Sequence, residues 1–356
     1  MAAPRFHELT LTDVARETED AVRLTFDVPP SLAQAFAFTP GQYLTLRATV
    51  GGQEVRRSYS ICSALGERGL AVGVKRIEGG AFSSHALSLR AGDRLDVMTP
   101  QGRFTAPIGG RHDYLLIAAG SGITPILSIA RSVLEGEPDS TLTLLYANRE
   151  TASVMFREAL DDLKDRFLTR FRLVHVMDVE RQEIELFNGR LDAEKLDSFA
   201  TRGLIDPLAA SACFICGPQP MIEAVSASLA AMGVPEDRIR FELFTPPGGL
   251  PTASARETLA PREATTRVSV LLDGSLRSFA MAPGAGLVEV ASRAGVEVPW
   301  SCNNGMCATC RCKLVEGHGH MRQNFSLEPW ETEAGFVLAC QFQPDTAETL
   351  LDFDAV

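Results

Sequence analysis

Four cysteines in the C-terminal part of the chain have the spacing of an iron–sulfur ligand set. Cys302, Cys307 and Cys310 follow one another as C-x4-C-x2-C, and Cys340 comes after 29 further residues. This is the plant-type spacing, in which four thiolates hold the two irons of a [2Fe–2S] cluster. A loop around anionic sulfurs must bring backbone N–H groups close to them, which favours small or flexible residues. The residues between the cysteines that fit this need are Asn303, Asn304, Gly305, Ala308 and Thr309.

The alternatives for these cysteines are a zinc site of four thiolates and four thiols with no common role. Zinc sites usually contain two close cysteine pairs, whereas Cys340 has no neighbouring cysteine in the sequence. The spacing therefore favours the cluster. Three further cysteines, Cys62, Cys213 and Cys312, are expected to pack in the core.

Length, charge and hydropathy narrow the class of protein. A chain of 356 residues predicts two or three domains. The net charge of −11 argues against a nucleic acid partner, and no apolar run is long enough to cross a membrane. The N-terminus lacks the apolar core of a secretory signal, so the eight cysteines indicate metal or redox chemistry in the cytoplasm rather than disulfides.

Acidic residues are concentrated at the C-terminus. From Leu327 onward the chain contains seven acids and neither Lys nor Arg. We expect either a solvated tail or an acidic face beside the cluster that steers docking to a basic partner. The acids are Glu328, Glu331, Glu333, Asp345, Glu348, Asp352 and Asp354.

Hydrophobic periodicity divides the chain into three domains and a linker. Residues 1–108 contain about six short strands with turn signals and one short helix, which is typical of a small antiparallel β-barrel. Residues 109–244 alternate buried strands with helices, including a helix expected over 153–167, and predict a doubly wound parallel α/β sheet. Residues 245–265 have the Pro- and Gly-rich composition of a linker, and residues 266–356 form a third domain around the cysteine loop.

Two stretches of the first domain are suited to a flavin nucleotide. The stretch Arg57-Ser58-Tyr59-Ser60 offers a cation for phosphates, an aromatic ring for the flavin and hydroxyls for its polar edge. The stretch Gly80-Ala81-Phe82-Ser83 opens a short helix, whose free N–H groups can face a pyrophosphate. Each alone fits a polar edge strand or a capped helix equally well. Together, upstream of a cluster domain, they favour a flavin.

Three strand ends of the second domain carry candidate nucleotide-binding residues. The first strand ends in Gly120-Ser121-Gly122-Ile123-Thr124-Pro125, a glycine-rich turn before a helix, where such sheets bind a dinucleotide pyrophosphate. The second ends in Asn148-Arg149-Glu150, where an acid favours the ribose hydroxyl of NAD and an arginine the 2′-phosphate of NADP. Arg149 leads us to predict NADPH, with NADH as the alternative. The fourth ends in Cys216-Gly217-Pro218, at the carboxyl edge where such sheets bind ligands.

The whole chain resembles the ferredoxin–NADP reductase superfamily joined to a C-terminal plant-type ferredoxin. The flavin motif R-x-Y-S matches at Arg57–Ser60, and the phosphate motif G-x-x-S matches at Gly80–Ser83. The two nicotinamide nucleotide motifs match at Gly120–Pro125 and at Cys216–Pro218 with Met221. The resemblance implies an antiparallel FAD barrel, a doubly wound NADP sheet and an α+β ferredoxin-like β-grasp domain.

Within the superfamily, the chain is most similar to the reductase subunits of ring 1,2-phenylacetyl-CoA epoxidases. The stretches that carry this likeness are Asn148–Phe156, Leu186–Asp192 and Gln323–Trp330. The reductases of steroid and other aromatic oxygenases share the same layout.

The resemblance implies a role for each matching residue. FAD would stack near Tyr59, with Ser60 near flavin N5 and Arg57 on the phosphates, while Cys216 would border the nicotinamide C4. Ser60 and Cys216 would thus be the catalytic residues. The further residues implied are Ser58, Val74, Lys75, Gly80, Ala81, Phe82, Ser83, Glu242 and Phe244 for FAD, and Gly120, Gly122, Thr124, Pro125, Asn148, Arg149, Gly217, Pro218 and Met221 for the nucleotide.

The resulting hypothesis is a reductase that converts two-electron into one-electron transfer. NADPH delivers a hydride and a cluster accepts one electron at a time, so FAD is expected between them. The electrons would pass to a terminal oxygenase, expected to be a di-iron enzyme acting on an aromatic acyl-CoA and docking at the acidic ferredoxin domain. The alternatives are an NADH-dependent reductase of another aromatic-ring or steroid hydroxylase, and a redox or zinc binding module without turnover.

Overall fold

The computed structural model describes residues 5–244 and 266–355. The described chain divides into two compact units, the larger built mainly from residues 7–244 and the smaller mainly from residues 266–355. The linker predicted over residues 245–265 lies outside the described residues. No helix in the described part is long and apolar enough to cross a membrane.

The first part of the larger unit is an antiparallel sheet that curls on itself. Its elements within the described residues are β1 (Phe6–Thr18), β2 (Ala21–Asp27), β3 (Tyr43–Val50), β4 (Gln53–Ser60), β5 (Leu70–Lys75), α1 (Ala81–Ala86) and β6 (Arg94–Met98). The strand order is β4-β3-β6-β1-β2-β5. Ile61, just after β4, bridges Val72 of β5, so the two edge strands meet. Gly51 and Gly52, with φ of +60° and +78°, form the tight turn between β3 and β4.

The second part is a parallel sheet with helices on both faces. Its described elements are β7 (Asp113–Ala119), α2 (Ile123–Gly136), β8 (Thr141–Asn148), α3 (Arg157–Arg166), β9 (Phe171–Met177), α4 (Ala193–Thr201), β10 (Ala212–Gly217), α5 (Gln219–Ala231) and β11 (Ile239–Leu243). The strand order is β11-β10-β7-β8-β9. Successive strand residues point to opposite faces. Leu116 therefore joins a core with α2 and α3, while Ile117 joins one with α4 and α5, which is the doubly wound arrangement predicted.

The helix predicted over 153–167 begins only at Arg157. Phe156, directly before it, has left-handed backbone with φ of +57°, which stops a helix from continuing through it. Val154, Met155 and Phe156 are buried in the core as an irregular turn. The apolar residues that suggested an earlier helix start therefore serve packing of the turn.

The smaller unit is a mixed sheet with a short helix packed on it. Its described elements are β12 (Thr266–Leu272), β13 (Ser275–Met281), α6 (Leu287–Arg293), β14 (Arg311–Glu316), β15 (Gly319–Met321), α7 (Pro329–Glu333), β16 (Phe336–Leu338), β17 (Phe342–Pro344) and β18 (Glu348–Asp352). The order β13-β12-β18-β14-β16 has β12 and β18 parallel in the middle. Leu287, Val288 and Ala291 of α6 fill the core beneath the sheet.

The cysteines expected in the core are there. Cys62, Cys213 and Cys312 are at most 2% exposed. Burial raises the pKa of both Cys62 and Cys213 to about 12, and it raises the pKa of Cys312 further. These thiols stay protonated and act as small apolar side chains.

Candidate functional site

The loop that holds the first three ligand cysteines has left-handed backbone at three positions. Asn303, Gly305 and Ala308 have φ of +56°, +75° and +54°. Glycine adopts this conformation freely and asparagine tolerates it, whereas alanine there costs about 1–2 kcal/mol. At Gly305 an added Cβ would also lie 3.1 Å from both Gln323 O and Gln341 Cγ. Glycine at position 305 is therefore favoured by the backbone angle, and a larger residue would also crowd Gln323 and Gln341.

The four ligand sulfurs lie in two pairs. The Cys307 thiol donates a hydrogen bond to Cys302, which lowers the pKa of Cys302 to about 6. The Cys310 thiol likewise donates to Cys340, which lowers the pKa of Cys340. The same bonds, with burial, raise the pKa of Cys307 and Cys310. Cys302 and Cys307 are partly exposed, whereas Cys310 and Cys340 are buried. One pair thus lies nearer to solvent than the other.

Each ligand sulfur accepts a further hydrogen bond from the protein. Gln341, which no sequence pattern predicted, contributes one of these and also donates to Asn303 O at 3.1 Å, joining the two ligand segments. Its only signal in the sequence is a polar residue directly after Cys340. The four bonds are Asn304 N to Cys302 (3.4 Å), Thr309 Oγ1 to Cys307 (3.2 Å), Cys340 N to Cys310 (3.4 Å) and Gln341 Nε2 to Cys340 (3.5 Å).

This donor set fits a binuclear cluster. Two pairs of thiols provide two ligands for each of two irons. The surrounding N–H and O–H donors suit anionic sulfurs.

The predicted flavin stretch on β4 meets the stretch on α1. Arg57 is exposed, Ser58 and Tyr59 are partly buried, and Ser60 is buried. The ring centroids of Tyr59 and Phe82 are 5.5 Å apart. Two motifs separated in sequence are thus brought to one side of the barrel.

The loop before α1 is closed by its own serine. Ser83 Oγ accepts a hydrogen bond from Ile77 N at 3.1 Å and donates to Gly80 O at 3.2 Å. A Cβ at Gly80 would lie 2.5 Å from Ser83 Oγ. Gly80 and Ser83 therefore determine the shape of this loop. Of the other predicted flavin residues, Ala81 starts α1, Val74 is buried in the barrel core, and Lys75 Nζ lies 3.7 Å from Asp20 Oδ2.

The glycine-rich turn after β7 packs against the end of β10. Gly120 has φ of +53°, and its carbonyl accepts a hydrogen bond from the Tyr146 hydroxyl at 3.0 Å. An added Cβ at Gly122 would lie 2.1 Å from Cys216 O. The second glycine of this motif is therefore needed to bring two predicted nucleotide-binding segments together.

The other predicted nucleotide residues lie at the same carboxyl edge of the sheet. Thr124 and Pro125 are buried in the first turn of α2, and Asn148 is buried at the end of β8. A Cβ at Gly217 would lie 2.6 Å from Met221 Cε. Pro218 directly precedes α5.

Ser60, Cys216 and Glu242, predicted from distant parts of the sequence, meet in the structure. Cys216 on β10 pairs with Glu242 on β11, and Ser60 Oγ donates to Glu242 Oε2 at 3.0 Å. Loss of water around the partly buried carboxyl raises the pKa of Glu242 to about 8. Burial, and then the charge of Glu242, raise the pKa of Cys216. At neutral pH the site is therefore an uncharged group of hydroxyl, carboxyl and thiol, with Phe244 packed against the core nearby.

Arg149 is exposed at the end of β8, while its neighbours are engaged. Within the described chain its guanidinium has no hydrogen bond or ion pair. The Glu150 side chain accepts a hydrogen bond from Ser153 N in a capping box. Glu180, another residue that no sequence pattern predicted, donates its N–H to Arg149 O at 3.1 Å, and its carboxylate accepts from Thr151 N and Oγ1 at 2.6 and 2.7 Å. The loop that carries Arg149 is thereby fixed.

One of the seven C-terminal acids has a structural role. Glu331 is completely buried and forms an ion pair with Arg311 at 2.7 Å. It cannot contribute to an acidic face, because its charge is compensated inside the domain. The predicted acidic face is corrected accordingly to exclude Glu331.

Three family models match the chain in succession. The oxidoreductase FAD-binding domain matches residues 8–106, and the oxidoreductase NAD-binding domain matches residues 116–227. The 2Fe-2S iron-sulfur cluster binding domain matches residues 270–345.

Curated relatives and one solved structure match over nearly the full length. The chain is 43% identical over 356 residues to a component of 1,2-phenylacetyl-CoA epoxidase from Escherichia coli K12, covering 98% of each chain. It is 34% identical to the ferredoxin reductase component of 3-ketosteroid-9-alpha-monooxygenase from Rhodococcus rhodochrous, covering 97% of this chain and 96% of that one. Phthalate dioxygenase reductase has a similar structure, with a TM-score of 0.59 and 26% identity over 98% of both chains.

These matches confirm the predicted three-part fold, the oxidoreductase class and the FAD, NAD(P)H and [2Fe–2S] cofactors. The chain belongs to the ferredoxin–NADP reductase superfamily, among the oxygenase reductase components in which FAD- and NAD-binding domains are joined to a C-terminal [2Fe–2S] domain.

Proposed function

We propose that this protein is the reductase that supplies electrons to the oxygenase component of a 1,2-phenylacetyl-CoA epoxidase. The observation that carries the proposal is the end-to-end similarity to the E. coli epoxidase component, at 43% identity against 34% for the steroid reductase component. Two of the stretches that resemble the epoxidase reductases also belong to the candidate sites. Asn148–Phe156 contains Arg149, and Gln323–Trp330 contacts Gly305 of the cluster loop.

Residues of the barrel are assigned to the flavin, and residues at the carboxyl edge of the parallel sheet are assigned mainly to the nicotinamide nucleotide. When bound, FAD accepts a hydride from the nucleotide and releases single electrons to the cluster. We assign Tyr59 to the flavin ring and assign Arg57 and the Gly80–Ser83 loop to the phosphates. Ser60 would supply a hydroxyl to flavin N5, and Glu242 would orient that hydroxyl through their hydrogen bond.

Cys216 is proposed to border the nicotinamide by contact alone. Its thiol is buried and its pKa is raised, so it is not a thiolate nucleophile at neutral pH. The Gly120–Pro125 turn, which packs against Cys216, would hold the pyrophosphate together with Gly217 and Pro218. Asn148 and Met221 complete the walls of this site.

NADPH is the proposed electron donor. The exposed Arg149 guanidinium is available for a 2′-phosphate, whereas the Glu150 carboxylate is engaged in its capping box. Glu180 fixes the backbone of the Arg149 loop. An arginine on a fixed loop favours the extra phosphate, because its guanidinium can bind it with several parallel N–H donors.

The proposed acceptor is a di-iron oxygenase component that docks at the acidic ferredoxin domain. Six of the seven C-terminal acids remain for such a face once Glu331 is excluded. Their charge would steer a basic protein and would repel nucleic acid and anionic membrane surfaces. The proposed compartment is the cytoplasm, which keeps thiols reduced, because none of the eight cysteines, all within the described residues, is in a disulfide.

The test is the visible spectrum of the purified, oxygen-protected protein, followed by coupling to an oxygenase component. Flavin bands over broad iron–sulfur absorption should bleach faster with NADPH than with NADH. The reduced protein should then support product formation by the oxygenase component of a 1,2-phenylacetyl-CoA epoxidase. Turnover only with a steroid oxygenase component would assign a different partner, and a colourless protein containing zinc would contradict the electron-transfer function.

A further inference from the structure

The segment Gln323–Glu333 is attached at its start to the cluster loop. The N–H of Phe325 and the hydroxyl of Ser326 each donate to the carbonyl of Gly305 at 3.1 Å. Gly305 stands inside the loop that carries the first three ligand cysteines. The start of the segment is therefore fixed beside the cluster site.

Its end is attached to the strand that follows the third ligand. Arg311, directly after Cys310, donates from Nε to Glu331 Oε1 at 2.7 Å. Glu331 is completely buried, and the Arg311 guanidinium lies 3.5 Å from the centroid of the Phe336 ring. A buried ion pair with a stacked guanidinium gives α7 a single position on β14 and β16.

Hydrogen bonds within the segment make it a rigid connection between these two attachments. Asn324 Oδ1 accepts the N–H groups of Ser326 and Leu327 at 3.2 and 2.8 Å. Asn324 Nδ2 donates to Leu327 O at 3.0 Å. The Glu328 side chain and Glu331 then form a capping box at the start of α7.

This rigid segment exposes a tryptophan next to acidic side chains. Trp330 is 60% exposed, and Glu328, Pro329 and Glu333 are exposed around it. We call these four residues the Trp330 surface. Large, stiff side chains on a fixed base lose little conformational entropy on binding, which is why tryptophan is frequent among residues that dominate protein–protein affinity.

We propose that the Trp330 surface is the docking site of the electron-accepting oxygenase component, with Trp330 entering an apolar pocket rimmed by Lys and Arg. The inference rests on the proposed function. The charge supports it, because the chain from Leu327 onward contains six acids besides the buried, ion-paired Glu331, and neither Lys nor Arg. The position supports it too, because the segment is attached at Gly305, which lies between the ligands Cys302 and Cys307, and at Arg311, which directly follows Cys310.

The test compares Trp330→Ala with Leu276→Ala in the full-length, cofactor-loaded protein. Leu276 is a matched control, because it is 63% exposed on β13, at the sheet edge opposite β16 and α7. With the oxygenase component of a 1,2-phenylacetyl-CoA epoxidase as the probe, Trp330→Ala should raise the KM for that protein roughly 10- to 100-fold. Leu276→Ala should change it by less than about twofold, and Trp330→Phe should restore part of the loss.

Internal electron transfer separates docking from damage to the cluster. NADPH-driven reduction of the cluster, followed by absorbance without any acceptor, should be the same in wild type and Trp330→Ala. Slower cluster reduction in the variant would assign Trp330 to transfer within the chain and overturn the proposal, as would an unchanged KM for the oxygenase. A wild-type protein that delivers no electrons to the oxygenase would instead contradict the proposed function, and with it the partner assigned to this surface.

Discussion

The cluster loop takes three ligands from residues 302–310, whereas the Ser60–Cys216–Glu242 site takes one residue each from β4, β10 and β11. In the loop, the spacing of the cysteines in the sequence already defines the ligands, and residues with left-handed backbone shape the chain around them locally. In the other site, the contacts exist only after a barrel and a parallel sheet have packed together. The first depends on local geometry and the second on the whole larger unit.

Replacing a ligand of the loop should have the largest effect. Cys307→Ser should abolish reduction of cytochrome c, because the cluster loses one of four ligands. Reduction of ferricyanide by the flavin should be retained, since Ser60, Cys216 and Glu242 lie outside the loop and none of them is a cluster ligand. Steady-state rates with the two acceptors measure this. Cys312→Ala, at a buried cysteine outside the ligand set, is the control, and equal loss of both activities in Cys307→Ser would contradict the order of electron transfer.

A substitution at the predicted 2′-phosphate contact should change the preference between NADPH and NADH without affecting flavin reduction by NADH. Arg149→Ala should raise the KM for NADPH by about 10- to 100-fold, since a charged hydrogen bond is worth about 1.5–3 kcal/mol, and leave the KM for NADH unchanged. Flavin reduction with each nucleotide is the measurement. Arg166→Ala, an exposed arginine in an ion pair with Glu135, should affect neither. A parallel loss with both nucleotides would mean that Arg149 does not contact the 2′-phosphate.

The partly buried carboxyl of Glu242 should change how the stability of the protein depends on pH. The pKa of Glu242 is raised in the folded chain from 4.5 to about 8. The folded chain then binds a proton that the unfolded chain has lost, so this contribution to stability is complete below pH 4.5 and is lost as pH rises to about 8.

Glu242→Gln should remove this decrease of the unfolding free energy with rising pH, while keeping a side chain that can form a hydrogen bond with Ser60. Urea unfolding at several pH values between 5 and 8 measures it, with exposed Glu183→Gln as the control. An equal change of the unfolding free energy with pH in wild type and Glu242→Gln would show that the Glu242 carboxyl is not protonated in the folded protein.

The smallest effect is expected at a backbone position of the loop. Ala308→Gly should stabilise the smaller unit by about 0.5 kcal/mol, because relief of the left-handed strain exceeds the entropy cost of glycine. Ala294→Gly, at an exposed alanine with φ of −81°, should destabilise instead. Urea midpoints of the intact protein compare the two. Destabilisation by both would imply that the Ala308 methyl group contributes packing that outweighs its strain.

The same comparison explains which features the sequence could predict. The C-x4-C-x2-C spacing and the alternation of strands and helices are local patterns, so the cluster, the barrel and the doubly wound sheet follow from them. The predicted start of α3 was wrong because Val154, Met155 and Phe156 are apolar in order to pack a buried turn, and they do not form one face of a helix. The burial of Glu331 was invisible because its partner, Arg311, lies 20 residues earlier.

Some residue roles depend on contacts that no local pattern encodes. Gly122 looked like a phosphate-binding glycine, and the structure adds the close approach of Cys216 O as a second reason for it. Glu180 and Gln341 carried no signal beyond their polarity, because their partners come from other segments. Such contacts arise from tertiary packing and are read only from the folded chain.

The burial of the cysteines outside the ligand set has a practical consequence for chemical labelling. Cys62, Cys213, Cys216 and Cys312 are buried, and the pKa of each is raised, so alkylating reagents that attack thiolates should leave them unmodified in the folded protein. Cys302 is partly exposed, and its pKa is lowered to about 6. Alkylation of Cys302 should therefore rise with the fraction of molecules that have lost their iron, which gives an assay of cluster occupancy that needs neither turnover nor colour.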